Sequence, residues 1–233
     1  MTDSIVPLSP IQLFSSDLDG TLLGNDESGQ RFTEAWKSLS SEGRPILVYN
    51  SGRLVDDIRE LIAAGRLPPA EFLIGGVGTQ IFDTAAGQQL ESFTAELATG
   101  WDLARVKKVL GDFPGVTPQP PAFLHAYKSS WYLHDARPEQ LAELDRRLAE
   151  ASLDVHLIYS STRDLDVLPR AASKGHALHW LCNRLGVPLG QVLVAGDTGN
   201  DSSMFRLPGV RGILVENAHP DLLAATVETQ TYT

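Results

Sequence analysis

The stretch Ile11-Gln12-Leu13-Phe14-Ser15-Ser16-Asp17-Leu18-Asp19-Gly20-Thr21-Leu22-Leu23 decides how the rest of the chain is read. Its apolar start has the character of a buried strand, and beyond it stand two carboxylates two residues apart, then a glycine and a hydroxyl. Aspartates at the end of a buried strand are costly to desolvate, and a pair of them repel, so something cationic must offset them. A hard metal ion is the simplest candidate. A lone Asp-x-Asp is more often only a turn, so the stretch takes its meaning from what the chain places beside it.

At 233 residues and 42% hydrophobic, the chain can bury a sizeable core, as one large domain or two modest ones. No run of about 18 apolar residues exists to span a membrane, and the polar start Met1-Thr2-Asp3-Ser4 is unlike a signal peptide. The expectation is a soluble, cytoplasmic protein. The one cysteine, Cys182, falls in the helical pattern Leu178, Leu181, Cys182, Leu185 and is expected to be a small core residue. A net charge of −10 argues against nucleic acid or an anionic membrane surface as partner. A small anionic substrate stays compatible, provided that a few lysines or arginines or a bound metal supply local positive charge.

Outward from the opening strand at 11–15, helical spacing follows across Thr33 to Leu39, and Pro45-Ile46-Leu47-Val48-Tyr49 reads as a second buried strand. That strand runs into Asn50-Ser51-Gly52-Arg53. A helix is predicted from Leu54 to about Ala64, and Phe72-Leu73-Ile74 is a third strand. Strand, helix, strand, helix, strand predicts a parallel sheet with right-handed crossovers. From Gly75 the pattern changes. Gln80 to Asp83 and Gln88 to Phe93 flank a turn and suggest a hairpin. A helix over Trp101 to Leu110, a proline-rich loop at Pro114 to Pro121, a strand at Ser129 to His134, and a helix with Pro138 in its first turn come next. Two further β pieces, Val155 to Tyr159 and Leu165 to Leu168, close what reads as a separate α+β unit. The alternating pattern then resumes with a helix Lys174 to Leu185 capped by Ser173 and a strand Gln191 to Ala195. That strand delivers Gly196-Asp197-Thr198-Gly199-Asn200-Asp201, and a last strand Gly212 to Val215 and a partial helix after Pro220 follow.

The expected architecture is therefore α/β, a Rossmann-like parallel-sheet core from 1–80 and 169–233 with an inserted α+β unit at 81–168. In an open sheet of this kind the site lies at the carboxyl ends of the strands, so Asp17, Asp19, Ser51, Asp197 and Asp201 should converge there. Lys174 joins them if its helix aims its N-terminus at the same crevice. Carboxylates with one lysine and one hydroxyl suit a magnesium ion and a phosphoryl group in transfer. Two other features carry less. Gly75-Gly76-Val77-Gly78 lacks a dinucleotide fingerprint and a Walker lysine, and is expected to be a flexible exit into the inserted unit. His176 and His179, three apart on a helix, are better read as a packed or solvated face than as metal ligands.

Asp17-Leu18-Asp19-Gly20-Thr21, Ser51-Gly52-Arg53, Lys174 and Gly196-Asp197-Thr198-Gly199-Asn200-Asp201 together resemble the four motifs of the haloacid dehalogenase (HAD) superfamily of phosphatases. The insertion between the second and third motifs is similar to members with the larger, C2-type cap. More narrowly, Leu165-Asp166-Val167-Leu168-Pro169, Ser173-Lys174-Gly175, Val77-Gly78-Thr79-Gln80-Ile81 and Glu216-Asn217-Ala218 resemble the sucrose-phosphate phosphatase family, which includes mannosylfructose-phosphate phosphatases. The resemblance implies Asp17 as nucleophile and Asp19 as general acid and base. It also implies phosphate binding by Ser51, Gly52 and Lys174, and Mg2+ held by Asp17, Asp19 (through its main-chain carbonyl), Asp197 and Asp201, with Asn200 in support. It places Lys128 of the cap facing a sugar, where a solvated surface lysine is the alternative; Asp166, better placed than Asp164 just before the return to the core, is read as binding sugar hydroxyls or merely sitting at a strand boundary. Two departures, Gly20 where asparagine is frequent and Asn50-Ser51 where a small residue and threonine are usual, leave the sugar open.

The implied activity is Mg2+-dependent hydrolysis of a phosphorylated disaccharide, sucrose 6-phosphate or mannosylfructose phosphate, through an aspartyl-phosphate. A phosphomutase or another sugar-phosphate phosphatase of the same superfamily is the alternative, and a non-catalytic sugar-phosphate sensor is the alternative of another class. The implied partners are a small sugar phosphate and the glycosyltransferase (synthase) that makes it.

Overall fold

The computed structural model describes residues 9–160, 162–226 and 229–232. The start Met1-Thr2-Asp3-Ser4 lies outside them. The chain folds around an eight-stranded sheet covered by helices on both faces. In chain order these elements are β1 (Leu13–Ser16), α1 (Asp26–Ser38), β2 (Ile46–Asn50), α2 (Val55–Ala63), β3 (Phe72–Gly75), β4 (Gln80–Asp83), β5 (Gln88–Gln89) and α3 (Glu91–Glu96). A second group follows: α4 (Leu103–Gly111), β6 (Thr117–Pro118), β7 (Ser129–Tyr132), α5 (Pro138–Glu150), β8 (Val155–Ser160) and β9 (Asp164–Pro169). The chain then returns through α6 (Lys174–Leu185), β10 (Val192–Gly196), α7 (Ser202–Phe205), β11 (Arg211–Leu214), α8 (Pro220–Ala225) and β12 (Gln230–Tyr232).

The large sheet runs in the order β12-β11-β10-β1-β2-β3-β4-β5, parallel as far as β3 and antiparallel beyond it. Alternation along its strands feeds two cores. Leu13, Val48, Ile74, Val192 and Val194 pack with α6 on one face. Phe14, Leu47, Tyr49 and Leu73 pack with Trp36 of α1 and Ile58 of α2 on the other. Strand β1 sits centrally between β10 and β2, so Asp17 leaves the sheet in its middle, where two neighbouring strands end beside it.

The smaller sheet, β6-β7-β9-β8, is antiparallel and has its own core, with Val106, Leu110, Leu144, Leu148, Leu165 and Val167 fully buried. It begins later than the sequence suggests. The hairpin of β4 and β5 pairs with β3 and extends the large sheet, and the segment after β5 is not strand but helix α3. Leu90, Phe93 and Leu97, at helical spacing, drop into the core against α6. The boundary expected at residue 81 therefore cuts through a strand of the large sheet. A hairpin pattern says that two strands pair but not which sheet they join.

The glycine-rich exit from β3 is also not the flexible link expected. Gly76, Val77 and Gly78 all have positive φ, at 59°, 59° and 85°, and Val77 is buried. A Cβ on Gly78 would lie 2.2 Å from the Ser173 carbonyl. Only glycine fits so close an approach, which docks this turn on the start of α6. Burial pushes the Cys182 thiol up to about 11, in keeping with a small core residue.

Candidate active site

Three parallel strands and one helix deliver the polar groups. Asp17 follows β1, Ser51 follows β2, Asp197 follows β10, and Lys174 opens α6, whose N-cap Ser173 accepts a hydrogen bond from the His176 N–H. Apolar runs carry each strand through the core and stop where the polar residues begin, so the polar groups meet at one end of the sheet.

Lys174 is fully buried and its Nζ donates at 2.6 Å to Asp17 Oδ1 and at 2.6 Å to Asp201 Oδ1. Burial would lower the ammonium, but the two carboxylates outweigh it and hold it charged. Asp201 is pinned further, because its Oδ2 accepts from the N–H groups of Asp197 and Thr198. Asp17 Oδ2 accepts from Thr21 Oγ1 at 3.1 Å. Asn50 donates to the Lys174 carbonyl at 3.0 Å and so fixes the first turn of α6.

One cation faces too many anions here. Carboxylate oxygens of Asp17, Asp197 and Asp201 lie within 4.8 Å of one another. Desolvation, against the pull of Lys174 and with the push of Asp201, raises Asp17 to about 6. Desolvation with repulsion from Asp17 and Asp201 raises Asp197 to about 7. Among the described residues, Asp197 Oδ1 is buried with no hydrogen-bond partner. An orphaned carboxylate oxygen beside a second strained carboxylate is the donor set of a hard divalent cation. Gly20 makes room for the Asp197 carboxylate, since a Cβ there would stand 2.0 Å from Asp197 Oδ2.

Asp19 faces elsewhere. Its carboxylate takes a two-pronged pair from Arg53, Nε and Nη2 each at 2.7 Å, with both side chains partly exposed. Sequence reasoning passed over Arg53 except as part of a motif, and its pairing across 34 residues leaves no local signal. Thr21 and Asn50 were likewise not assigned partners.

Asp17, Asp19, Gly52, Arg53, Asp197 and Asn200 line a cleft of about 650 Å³ that reaches Lys128 and Phe123 of the smaller sheet's side. Ser51 is fully buried beneath it, its Oγ accepting from the Arg53 N–H. Lys128 is not a solvated lysine. It is buried, donating to Asp166 at 2.8 Å and to Ser130 at 2.6 Å. Asp166 lines a branch of about 280 Å³ beside Gln119 and Asp164, which are joined at 3.1 Å. His176 packs against Phe93, ring centroids 6.0 Å apart, and is not part of the carboxylate cluster.

The sequence matches the family described as sucrose-6F-phosphate phosphohydrolase over residues 10–232. It is 43% identical over 217 residues to the mannosylfructose-phosphate phosphatase of Agrobacterium fabrum, covering 93% of this chain and 88% of that protein. It is 33% identical over 216 residues to sucrose-phosphatase 1 of Nicotiana tabacum, 89% of this chain but 51% of the plant protein. Among solved structures it superposes on the sucrose-phosphatase of Synechocystis, bound to sucrose and phosphate, with a TM-score of 0.85 at 29% identity, covering 95% of this chain and 91% of that one.

Proposed function

The chain belongs to the sucrose-6F-phosphate phosphohydrolase family, and from that membership we propose that it hydrolyses a phosphorylated disaccharide, mannosylfructose phosphate or sucrose 6-phosphate, through a phosphorylated Asp17. The observation that carries the reading is the buried constellation in which Lys174 bridges Asp17 and Asp201 while Asp197 keeps an unpaired oxygen.

In this mechanism the phosphoryl group sits over Asp17 at the floor of the cleft. Lys174 and the N-terminus of α6 place positive charge where the phosphoryl oxygens gather it. An oxygen of Asp17 attacks phosphorus, the bond to the sugar oxygen breaks, and Asp19 gives that oxygen its proton. Asp19 then takes a proton from water as the water attacks the phosphoaspartate, releasing inorganic phosphate and restoring Asp17. Arg53 pairs with the Asp19 carboxylate, so Asp19 can carry the proton only when that pair opens. Asp17, Asp197 and the Asp19 main-chain carbonyl would hold Mg2+, which would supply further positive charge to the reacting phosphoryl group. Asp201 is a positioning residue, since Lys174 and two N–H groups already engage its oxygens. Ser51 and Gly52 form the loop that receives the phosphate, and Asn200 stands at the cleft wall. The smaller sheet, with Lys128 and Asp166, forms the cap over the sugar. A glycosyltransferase that leaves a phosphate on its disaccharide product must supply the substrate.

The test is phosphate release across sucrose 6-phosphate, mannosylfructose phosphate and phosphorylated monosaccharides, with Mg2+ and then with chelator. A disaccharide phosphate should be preferred and chelation should stop turnover. Equal rates on all of them would contradict the assignment, and transfer between sugar hydroxyls in place of release would indicate a phosphomutase.

A further inference from the structure

Phe123 is the feature of the cleft that phosphate chemistry leaves unused. The residue is 46% exposed, and its ring belongs to none of the three apolar clusters of the described residues. It nevertheless lines both the cleft over Asp17 and the branch beside Asp166. Its backbone is held firmly. The Phe123 N–H donates to the Pro120 carbonyl at 3.0 Å, and the one-turn 3-10 helix Pro121–Phe123 starts on a proline whose φ is fixed. Ser130 Oγ donates to the Phe123 carbonyl at 3.1 Å and receives the Lys128 ammonium at 2.6 Å. Asp166, Lys128, Ser130 and the Phe123 backbone thus form one connected series.

An unpacked aromatic ring on a fixed backbone, tethered to a buried ion pair at the rim of a polar cleft, has the composition of a carbohydrate subsite. A pyranose or furanose has polar edges of hydroxyls and an apolar face of C–H groups. The hydroxyls suit the few placed polar groups, while the C–H face suits the negative face of an aromatic ring. We propose that Phe123 is a specificity-determining residue, a platform on which a sugar ring of the leaving group stacks, so that the enzyme distinguishes ring-bearing phosphate esters from open-chain ones. This rests on the proposed sugar-phosphatase function and deepens it. The ring takes no part in bond breaking, so it acts through binding.

The experiment compares kcat and KM of wild type, Phe123→Ala and Phe123→Tyr on mannosylfructose phosphate, sucrose 6-phosphate and glycerol phosphate, with inhibition by inorganic phosphate alongside. In Phe123→Ala, KM for the better disaccharide ester should rise about tenfold with kcat held within about twofold. Glycerol phosphate kinetics and phosphate inhibition should stay unchanged. Phe123→Tyr should restore the wild-type KM. The proposal is overturned if KM for the disaccharide ester is unmoved in Phe123→Ala, or if it rises equally for glycerol phosphate. A wild type that shows no preference for the disaccharide esters over glycerol phosphate overturns the function itself as well, and that outcome is read before any variant is made.

Discussion

Two buried lysines divide the molecule's chemistry between them. Lys174 lies at the carboxyl end of the large sheet's central strands with two carboxylates at 2.6 Å and does not line the cleft. Lys128 lies in the smaller sheet with one carboxylate at 2.8 Å and a serine, and opens onto the cleft. A buried ammonium is tolerated only when paired, so each is a fixed point of the structure. The surroundings separate their tasks. Lys174 is locked among carboxylates that any phosphoryl transfer at Asp17 needs, whereas Lys128 sits among hydroxyl-binding groups whose arrangement can select a sugar. In the proposed function, chemistry and selection are carried by different sheets.

Lys174→Met should show the largest effect. It leaves Asp17 and Asp201 buried without their shared cation, at a cost of about 3–5 kcal/mol in stability, and removes positive charge from the transferring group, lowering kcat by about three orders of magnitude. Thermal unfolding and single-turnover kinetics read the two effects separately. A variant of wild-type stability would show that Lys174 is not what neutralises the cluster.

Lys128→Ala should be milder and of another kind. Asp166 loses its ion pair, and kcat/KM on a disaccharide phosphate should fall about 10- to 100-fold, mainly through KM. Turnover of glycerol phosphate should change little. A kcat loss equal on both substrates would erase the division between the two lysines.

The smallest effect is a pH dependence of stability without metal. Burial, with repulsion from Asp201, raises Asp17 from 3.8 to about 6, and burial, with repulsion from Asp17 and Asp201, raises Asp197 from 3.8 to about 7. A raised folded pKa means that the folded chain holds protons which the unfolded chain has released. The contribution is therefore present below about pH 4 and lost as pH rises through 6 to 7. If Mg2+ binds these oxygens as proposed, it competes with the protons, and its stabilising shift in Tm should be small near pH 5 and grow toward neutrality. A shift independent of pH would place the metal elsewhere.

Much of this was legible in the sequence because each element of the core carries its own local signal. The helix Lys174–Leu185, with Ser173 as cap and Gly186 in the left-handed conformation, falls where its pattern places it. The residues before the site are apolar runs that can only be interior strands, and Asp17, Asp197, Asp201 and Lys174 meet as that pattern requires. What the sequence hid depends on pairing at a distance. Helix α1 begins at Asp26, seven residues before the expected start at Thr33, because its first turns are polar and only the Asn25 cap marks them. Phe93 belongs to the core sheet's cover instead of a strand, β6 is two residues long within a proline-rich loop, and Arg53 reaches Asp19 across the site. Of these, only the helical spacing of Leu90, Phe93 and Leu97 is written in local periodicity.

The central claim is that Asp17 becomes phosphorylated. Wild-type enzyme mixed with saturating mannosylfructose phosphate or sucrose 6-phosphate and Mg2+, quenched in acid within the first turnover and digested, should yield the peptide containing Asp17 with one phosphoryl group added. Asp17→Asn should give neither the adduct nor phosphate release. Rapid phosphate release with no adduct at any quench time, or turnover surviving in Asp17→Asn, would contradict the account, because water would then be attacking the substrate directly.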